Sequence, residues 1–417
     1  MSDAEDALLE HFARGAFVFD SPKKVGVAVS GGSDSMATLH LLASVADEKG
    51  WSLSAVTVDH GLRAESAAEA EFVAAACAKI GVSHETLKWN RSQSTGNLQD
   101  QARRGRYGLI TRWAQGRRIT HIALGHTADD QAETFLMNLV RGSGIDGLAG
   151  MRHRWSDDGI TWTRPFLLQD RADLRAWLSR RGIAWVDDPS NEDTTYQRVK
   201  ARKALEALGP LGIDAQVLSR VTVNLASVRQ ALAHQTHEIA QRIARVDAGD
   251  VVIDRRGLQT APSEVQRRLL IGALRWVSGA VYPPRETALI AVDIAITRGK
   301  NHTLSGCRIL TDKEDLRITR EARAVRDARA KPGEVWDDRW IVTGPLKRVT
   351  VKQLGADGLR QCPDWRETGR PRASLLASVA VWRGETLLAA PLAGLENGWK
   401  AALQPGRADF FATLLSH

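Results

Sequence analysis

A short run of glycines and hydroxyl side chains near the amino terminus has the composition of a phosphate-binding loop. Its residues are Ser30, Gly31, Gly32, Ser33, Asp34 and Ser35. Glycines let the backbone approach an anion closely, while the N–H groups at a helix start and the hydroxyls supply hydrogen-bond donors. Asp34 adds a carboxylate that can bind a magnesium ion bridging phosphate oxygens. No Gly-Lys-Ser/Thr follows, so the loop predicts nucleotide binding without the γ-phosphoryl transfer typical of Walker A proteins.

A second polar cluster, GHTADDQAET (Gly125–Thr134), combines a histidine with two acids. Asp130 and Glu133 stand three residues apart in a predicted helix, and that spacing places them on one face. Such a pair can chelate magnesium, hold an ammonium group or accept a proton. Alternatively, it only offsets the helix dipole, worth about a few tenths of a kcal/mol. We favour catalysis for both acids, with Asp130 as a second magnesium ligand beside Asp34, and we expect His126 to contact the nucleotide.

Three further segments supply side chains suited to phosphates or nucleotides. Arg103 and Arg106, in ARRGRY, can clamp phosphates or, alternatively, belong to a solvated helix face. His60, in VDHGLR, ends a predicted strand, and we expect it to contact adenosine. The segment DDPSNEDTTYQRVKARKAL couples an acidic turn to four cations that suit an RNA backbone or pyrophosphate, namely Arg198, Lys200, Arg202 and Lys203.

Alternating strand and helix patterns must position these clusters. Buried β-branched runs, each followed by a helical pattern, predict strands at Lys23–Ser30, Leu53–His60 and Thr120–His126. This alternation indicates βαβ units and therefore an α/β fold with a mostly parallel, doubly wound sheet. Ligands in such folds bind beyond the carboxyl ends of the strands. We therefore expect the chemistry at Ser30, His60 and His126.

Beyond residue 208 the alternation ends. Val217–Val246 and Ser263–Ser278 predict long helices, residues 302–321 predict a hairpin, and the charged stretch Arg320–Lys331 favours a linker helix. Short β-rich runs separated by glycine and proline follow. We predict three domains, namely a catalytic domain over residues 1–212, a mainly helical substrate-binding domain over 213–325 and a small α+β domain over 326–417.

The composition narrows the class of protein. The chain has 417 residues, of which 43% are apolar and 25% charged, as in ordinary globular proteins. It has no apolar run long enough for a membrane span and no secretory signal pattern. Three distant cysteines, Cys77, Cys307 and Cys362, argue against a zinc ribbon and favour a reducing cytoplasm. The net charge of +8, with 44 arginines to 13 lysines, fits either a polyanionic partner or a GC-rich codon preference.

Together, these motifs resemble the tRNA(Ile)-lysidine synthetase family of PP-loop ATP pyrophosphatases. The matching segments occur in the family's order and spacing over residues 20–205, namely SGGSDS, VDHGLRAES, ARRGRY, LGHTADDQAETFLMNLVRGSGIDGLAGM, RPFL and DDPSNEDTTYQR. SGGxDS is similar to the PP-loop, which binds ATP for cleavage between its α- and β-phosphates. One position departs from the pattern: the family usually has Asn after the arginine that matches Arg198, and here Val199 stands instead.

The resemblance implies a PP-loop domain similar to the adenine nucleotide alpha-hydrolases, and a two-step reaction. ATP with Mg²⁺ adenylates the wobble cytidine of tRNA(Ile) with a CAU anticodon, and the ε-amine of free L-lysine then displaces AMP to leave lysidine. A cytoplasmic enzyme without a membrane partner is implied, and a homodimer is compatible with it. The matched residues imply catalytic roles for Asp34, Arg103, Arg106, Asp130, Glu133 and Arg198, and nucleotide contacts for Ser30–Ser35, His60 and His126.

A PP-loop tRNA sulfurtransferase is the alternative interpretation, because such enzymes adenylate a base in the same way but then deliver sulfur. They commonly use a CxxC pair, a persulfide cysteine or an iron–sulfur cluster. Here Cys77 falls in an alanine-rich predicted helix, and Cys307 and Cys362 lie in the later domains. A non-enzymatic RNA-binding module with an inactive loop is disfavoured by the complete Ser30–Ser35 set.

Overall fold

The computed structural model describes residues 2–59, 61, 66–89, 98–187, 197–405 and 409–415. The chain divides into two compact units, Met1–Arg229 and Gln230–His417. The first unit carries all of the predicted catalytic motifs. The predicted domain boundaries after residues 212 and 325 do not coincide with this division, and they stay predictions. Within the described residues, no helix is both long enough and apolar enough to cross a membrane.

The described part of the first unit contains a six-stranded sheet. Its strands are β1 (Lys24–Ala28), β2 (Ser52–Asp59), β3 (Ser83–Lys88), β4 (His121–Leu124), β5 (Arg154–Asp157) and β6 (Ile160–Thr163). Their order is β3-β2-β1-β4-β6-β5, with parallel neighbours except for the antiparallel pair β5 and β6. The strand order reverses between β1 and β4, which makes that crevice the expected ligand position of a doubly wound fold. The predicted fold class is confirmed.

Helices of the first unit bury β1 and β4. The helices up to residue 208 are α1 (Ser2–Gly15), α2 (Ser33–Lys49), α3 (Ser66–Lys79), α4 (Leu98–Arg117), α5 (Ala128–Val140), α6 (Ile145–Leu148), α7 (Arg171–Arg180) and α8 (Gln197–Leu208). Val25 and Val27 of β1 pack in one core with α1, α2 and α7, whereas Ile122 of β4 packs in a second core with α4. A Cβ at Gly26 would lie 2.9 Å from the Trp113 ring of α4, so glycine allows this helix to pack against the centre of the sheet.

The second unit contains more β-structure than the sequence predicts. Its strands are β7 (Ala244–Asp247), β8 (Asp250–Asp254), β9 (His302–Leu304), β10 (Cys307–Thr311), β11 (Asp315–Arg320), β12 (Val335–Trp336), β13 (Trp340–Thr343), β14 (Thr350–Gln353), β15 (Val379–Arg383), β16 (Thr386–Ala389) and β17 (Lys400–Leu403). β7 to β11 form an antiparallel sheet in the order β7-β8-β11-β10-β9. The region predicted as mainly helical is therefore a helix-and-sheet structure.

The helices from residue 215 onward are α9 (Ala215–Ile243), α10 (Arg255–Thr260), α11 (Ser263–Ser278), α12 (Glu286–Thr297), α13 (Gly355–Leu359), α14 (Arg372–Leu376) and α15 (Phe410–Leu415). The long helix predicted over Val217–Val246 ends at Ile243 because the next residues pair with β8 as an edge strand. Two three-stranded sheets, β12-β13-β17 and β14-β15-β16, complete the carboxyl-terminal part as the predicted α+β structure.

The prediction of a linker helix over Arg320–Lys331 is wrong. β11 extends to Arg320, and a single 3₁₀ turn covers Ala322–Val325. Two hydrogen bonds of 2.9 Å join the Arg320 guanidinium to the Asp337 carboxylate, and Val325 is fully buried in the core of the two three-stranded sheets. These tertiary contacts hold the segment against its neighbours, and a solvated helix would lose them.

Candidate active site

The predicted phosphate-binding loop connects β1 to α2 and is held in shape by its own hydroxyls. The Ser30 amide donates to the Ser35 hydroxyl at 3.1 Å, and this hydroxyl donates to the Gly32 carbonyl at 3.0 Å. Gly31 has a φ of +89°, a conformation that favours glycine, and its carbonyl accepts from the Val186 amide at 2.9 Å. The loop is therefore preorganised, and α2 begins within it at Ser33.

A glycine brings the end of β4 against this loop. A Cβ at Gly125 would lie 2.7 Å from both the Asp34 carbonyl oxygen and the Ser35 Cα, closer than real Cβ contacts allow. The absence of a side chain at this position therefore lets the start of α5 lie beside the loop, at the crevice between β1 and β4. This approach places the predicted acid pair next to Asp34.

One arginine joins the loop to the acid pair. Arg171, the first residue of α7, donates from Nε to Asp34 Oδ2 at 2.8 Å. Its Nη2 lies 3.4 Å from Asp130 Oδ1 and its Nη1 lies 3.7 Å from Glu133 Oε1. The Arg171 amide also donates to Asp129 Oδ2 at 2.8 Å, which fixes the backbone of this residue. The three carboxylates that the sequence singles out therefore surround a single guanidinium.

The crowding of these acids perturbs their ionisation. Burial raises the pKa of Asp34 above its ordinary value, and the charge of Asp130 adds to the rise while Arg171 opposes it. Burial and the same neighbour raise the pKa of Glu133, against the effect of Arg171 and Arg202. Burial also opposes the ionisation of Asp130, yet the interactions with His126, Arg171 and Arg198 and the bond from the Thr127 amide hold the pKa of Asp130 below its usual range. Asp130 is therefore the most stably ionised of the three.

Asp130 has a structural role in addition to its place in the cluster. Its Oδ2 accepts from the Thr127 amide at 3.0 Å and from the Thr127 hydroxyl at 3.3 Å, completing a capping box at the start of α5. Its Oδ1 faces Arg171. The helix-capping bonds and the contact with Arg171 thus fall on different oxygens of one carboxylate, so the capping role does not exclude the predicted catalytic one.

His126 lies at the carboxyl end of β4 as a neutral imidazole. Burial, assisted by the charges of Arg164 and Arg106, lowers the pKa of His126 to about 3. Arg164 donates from Nε to His126 Nδ1 at 3.2 Å, so Nδ1 is the acceptor and Nε2 carries the proton. The Arg164 guanidinium also lies over the Trp155 ring at 4.3 Å from its centroid. His126 therefore offers a neutral N–H donor, as a contact to a nucleotide requires.

Two of the three arginines of ARRGRY, Arg103 and Arg106, lie on α4 around one aromatic ring. The guanidinium carbons of Arg103 and Arg106 are each 5.7 Å from the centroid of the Tyr107 ring. Arg103 is exposed, whereas burial lowers the pKa of Arg106 and the charges of Arg103 and Arg198 add to that effect. The like charges of Arg106 and Arg198 also act on His126. Arg106, Arg198 and His126 therefore lie close enough together for the charges of the two arginines to affect the pKa of the histidine.

The cations of α8 fall into two sets. Arg202 donates two bonds to Glu133 Oε1, at 2.9 and 3.1 Å, and Arg198 Nε lies 3.9 Å from Glu133 Oε2. Lys200 and Lys203 are exposed instead. Val199 stands where the family usually has Asn. Its side chain is only 5% exposed and faces the protein interior, an environment that suits an apolar residue. The cluster predicted to bind an RNA backbone or pyrophosphate therefore includes two arginines that lie against Glu133, a predicted catalytic acid.

Sequence reasoning did not assign site roles to Arg171, Arg164 and Arg175. Arg175 donates from Nε to the Ser33 hydroxyl of the loop at 3.1 Å, one helical turn beyond Arg171. A signal for Arg171 was present in its position: a cation at the first residue of a helix opposes the helix dipole, which suggests a compensating acid nearby. The predicted contact of His60 lies outside the described residues, as do residues 188–196 of the acidic turn.

Asp34 and Asp130 are the predicted magnesium ligands of this site. In the described residues, no group of three or more His, Cys, Asp or Glu side chains has the arrangement of a metal site. Magnesium at phosphates, however, is usually held by one or two carboxylates together with phosphate oxygens. Asp34 and Asp130 supply two carboxylates close enough together to contact the same guanidinium, that of Arg171, beside the predicted phosphate-binding loop. These two residues fit a magnesium ion that the nucleotide would help to coordinate.

The three cysteines lack the features of sulfur-transfer residues. Each is almost fully buried, with at most 2% of its surface exposed. Burial raises the pKa of the Cys77 thiol to about 11 and that of Cys307 to about 12, and it also raises the pKa of Cys362. A sulfur carrier needs an accessible thiolate. The geometry thus argues against the sulfurtransferase alternative.

Comparison with known proteins identifies relatives along nearly the whole chain. Residues 3–208 match the family model of the PP-loop domain. The chain is 50% identical to the tRNA(Ile)-lysidine synthase of Ruegeria pomeroyi over 411 residues, which cover 98% of each protein. It is 35% identical over 349 residues to the tRNA(Ile)-lysidine synthase of Wolbachia sp. subsp. Brugia malayi, covering 81% of this chain and 80% of that protein. The enzyme of that name from Rhizobium meliloti is 34% identical over 354 residues, covering 80% and 76%.

Proposed function

Because the chain belongs to the tRNA(Ile)-lysidine synthase family of PP-loop enzymes, we propose that it joins free L-lysine to the wobble cytidine of a tRNA(Ile) with a CAU anticodon, using ATP. The family resemblance of the sequence motifs is confirmed by these relatives. The observation that best supports the proposed site is the convergence of Asp34, Asp130 and Glu133 on Arg171. This convergence supports a site in which the predicted phosphate-binding loop holds ATP beside an acid pair that would bind an amine.

The first step is adenylation of the tRNA. The 2-oxo oxygen of the cytidine attacks the α-phosphorus of ATP, the bond between the α- and β-phosphates breaks, and pyrophosphate leaves. Loop residues Ser30–Ser35 and the start of α2 supply donors for the phosphate oxygens. Arg106 and Arg103 of α4 would neutralise the charge of the leaving pyrophosphate, and His126 would donate from Nε2 to the nucleotide. His60 is proposed to contact adenosine.

Magnesium belongs to this proposal. Asp34 would hold the ion, with Asp130 as the second ligand during the first step. When bound, the ion supplies positive charge to the phosphate oxygens. The Ser33 hydroxyl, 3.1 Å from Asp34 Oδ1, and Arg171, which donates to Asp34 Oδ2, fix the carboxylate that would coordinate it.

The second step is attack by the ε-amine of lysine on the activated carbon of the base, with AMP as the leaving group. Free lysine has a pKa near 10.4, so its deprotonation at pH 7 costs about 4.6 kcal/mol. Asp130, the more stably ionised acid, would hold the ammonium. Burial raises the pKa of Glu133, which makes this residue the better proton acceptor of the pair.

The exposed face of α8 provides a surface for the RNA backbone. Lys200 and Lys203 are exposed there, and Arg198 is 46% exposed while its Nε lies 3.9 Å from Glu133. Phosphates of the tRNA would bind these cations while the anticodon base enters the crevice. Arg198 would thus connect RNA binding with the acid pair.

Incubation of the purified chain with tRNA(Ile), ATP and radiolabelled lysine tests the function directly. Label is expected in the anticodon, together with one pyrophosphate and one AMP for each lysine incorporated. A parallel reaction with labelled sulfide tests the sulfurtransferase alternative, and incorporation from sulfide but not from lysine would overturn the proposal. Sedimentation and cell fractionation test the homodimer and the cytoplasmic location, which both stay predictions.

A further inference from the structure

Arg171 lies at the centre of the charge cluster and is not one of the residues that the sequence motifs assign to the reaction. Its side chain is 19% exposed and faces three acids. The contacts are unequal: Nε bonds Asp34 at 2.8 Å, whereas Nη2 and Nη1 lie 3.4 and 3.7 Å from Asp130 and Glu133. The guanidinium is therefore firmly bound to the loop and only loosely to the acid pair.

We propose that Arg171 is a positioning residue that serves as the counter-cation of all three carboxylates in the substrate-free site. It keeps Asp34 in place throughout the reaction and gives up Asp130 and Glu133 to the ε-ammonium of lysine. This inference rests on the proposed function, since it concerns how that site receives its second substrate.

Competition between the guanidinium and the ammonium follows from the oxygens involved. Asp130 Oδ2 already accepts two bonds from Thr127, so Oδ1 remains for a new donor, and Oδ1 is the oxygen that faces Arg171. Glu133 Oε1 is likewise shared between Arg171 and Arg202. An ammonium that binds both acids would therefore compete with Arg171 for the oxygens that it faces in the lysine-free site.

The covalent structure of arginine permits this exchange without loss of the loop contact. Nε is attached to the aliphatic stem and bonds Asp34, whereas the two terminal nitrogens point toward α5. The backbone of Arg171 is fixed by the bond from its amide to Asp129. A small rotation about the end of the side chain would therefore release the acid pair and leave the Asp34 bond nearly unchanged.

Two substitutions separate the two contacts. In Arg171→Lys, the ammonium of the new side chain can reach Asp34 but lacks the two terminal nitrogens that face α5. We expect pyrophosphate release to stay within about threefold of the original rate and the KM for lysine to fall, because the competitor is gone. In Arg171→Gln, we expect pyrophosphate release to fall about tenfold or more while the KM for lysine again falls.

The control is Arg180→Gln, which removes an arginine at the end of the same helix that pairs with Asp6 and Glu5 of α1. It should leave both parameters unchanged. Single-turnover reactions over a range of lysine concentrations, together with equilibrium dialysis of labelled lysine, measure the two effects, and thermal unfolding confirms that the variants fold. A rise or no change in the KM for lysine in Arg171→Lys would overturn the proposal. Absence of lysine incorporation by the unsubstituted chain would instead overturn the proposed function.

Discussion

Each unit of the protein buries an arginine among acids, and the two clusters differ in how completely their hydrogen bonds are satisfied. In the second unit, Arg317 donates to Asp247 at 2.8 Å and to Asp250 at 2.9 Å, and the Ser374 hydroxyl donates to Asp250 at 2.6 Å. In the first unit, Arg171 makes one short bond to an acid side chain and two longer contacts.

The difference distinguishes a structural cluster from one that can bind a substrate. The bonds of Arg317 hold adjacent strands, since Asp247 ends β7, Asp250 begins β8 and Arg317 lies in β11. Asp247 and Asp250 each bond Arg317 there, and Asp247 also pairs with Arg370 at 3.5 Å. In the first unit Arg202 bonds Glu133, whereas Asp34 and Asp130 share the guanidinium of Arg171. An incompletely satisfied buried charge is costly and is retained at sites where a ligand completes it. The looser contacts of Asp130 and Glu133 with Arg171 therefore support the proposal that a lysine ammonium or a metal ion binds in the first unit.

The largest expected effect is the loss of catalysis when the loop carboxylate is removed. Asp34→Ala should lower pyrophosphate release by about a hundredfold to a thousandfold, because the carboxylate that would hold magnesium beside the developing charge is missing. Binding of tRNA in a gel-shift assay should survive. Equal losses of RNA binding and turnover would instead indicate misfolding and would remove the contrast between the two clusters.

Breaking the satisfied cluster should cost stability and leave the chemistry intact. Arg317→Met leaves the buried Asp250 carboxylate without its cation, although the Ser374 hydroxyl still donates to it, so we expect the free energy of unfolding to fall by about 3 kcal/mol. Denaturant titration measures this loss. Pyrophosphate release per folded molecule at low temperature should match that of the unsubstituted chain, and a selective catalytic defect would show that the two clusters are not functionally distinct.

Neutralising the acid pair tests how the two carboxylates divide their roles. Asp130→Asn keeps an oxygen for the capping box, so it should fold normally and slow both steps. Glu133→Gln should slow the lysine step chiefly, about tenfold to a hundredfold, and adenylated tRNA should accumulate. Single-turnover measurement of pyrophosphate and lysidine in one reaction separates these outcomes. Normal rates for both variants would leave only the helix-capping role.

The salt dependence of tRNA affinity should differ between variants of the exposed lysines of α8 and a variant of Arg202, which faces inward. Lys200→Gln combined with Lys203→Gln should reduce the slope of log affinity for tRNA against log salt by about 1.4, at roughly 0.7 per single-strand phosphate contact. Arg202→Gln is the matched variant that contacts Glu133, and it should change the KM for lysine instead. A slope change below about 0.7 for the double variant would show that the two lysines do not contact tRNA phosphates and only form part of a solvated helix face.

The smallest expected effect is that of removing the thiols. A variant with Cys77, Cys307 and Cys362 replaced by Ala or Ser should keep turnover within about twofold, since none of these residues has the exposed thiolate that sulfur transfer needs. Burial raises the pKa of the Cys77 thiol to about 11, compared with 9.0 for a free thiol. As the pH rises, the thiol of the unfolded chain therefore loses its proton before the thiol of the folded chain. The contribution of the protonated thiol to the free energy of unfolding is full at neutral pH and declines above pH 9. Alkylation of the native protein should therefore be slow at pH 8, and fast alkylation with loss of activity would contradict this account.

Local patterns in the sequence determined most of the catalytic fold. β1, β2 and β4 lie within one or two residues of their predicted bounds, and α11 covers the predicted Ser263–Ser278. The spacing of apolar residues and the glycines and hydroxyls of a loop are local features of the sequence. A short segment is therefore enough to recognise a helix, a strand or a phosphate-binding loop. The loop Ser30–Ser35 and the acids of α5 could be identified for the same reason.

Only the tertiary structure decided which charges meet. Asp34 and Arg171 are 137 residues apart in the chain, and no local pattern could show that Arg171 faces all three acids or that Arg202 bonds Glu133. The same limit explains the strands missed at residues 244–254, because β8 forms where β11 arrives to pair with it. Hydrogen bonds and ion pairs depend on the partner that folding brings within reach, whereas the period of a helix or strand is encoded in its own residues.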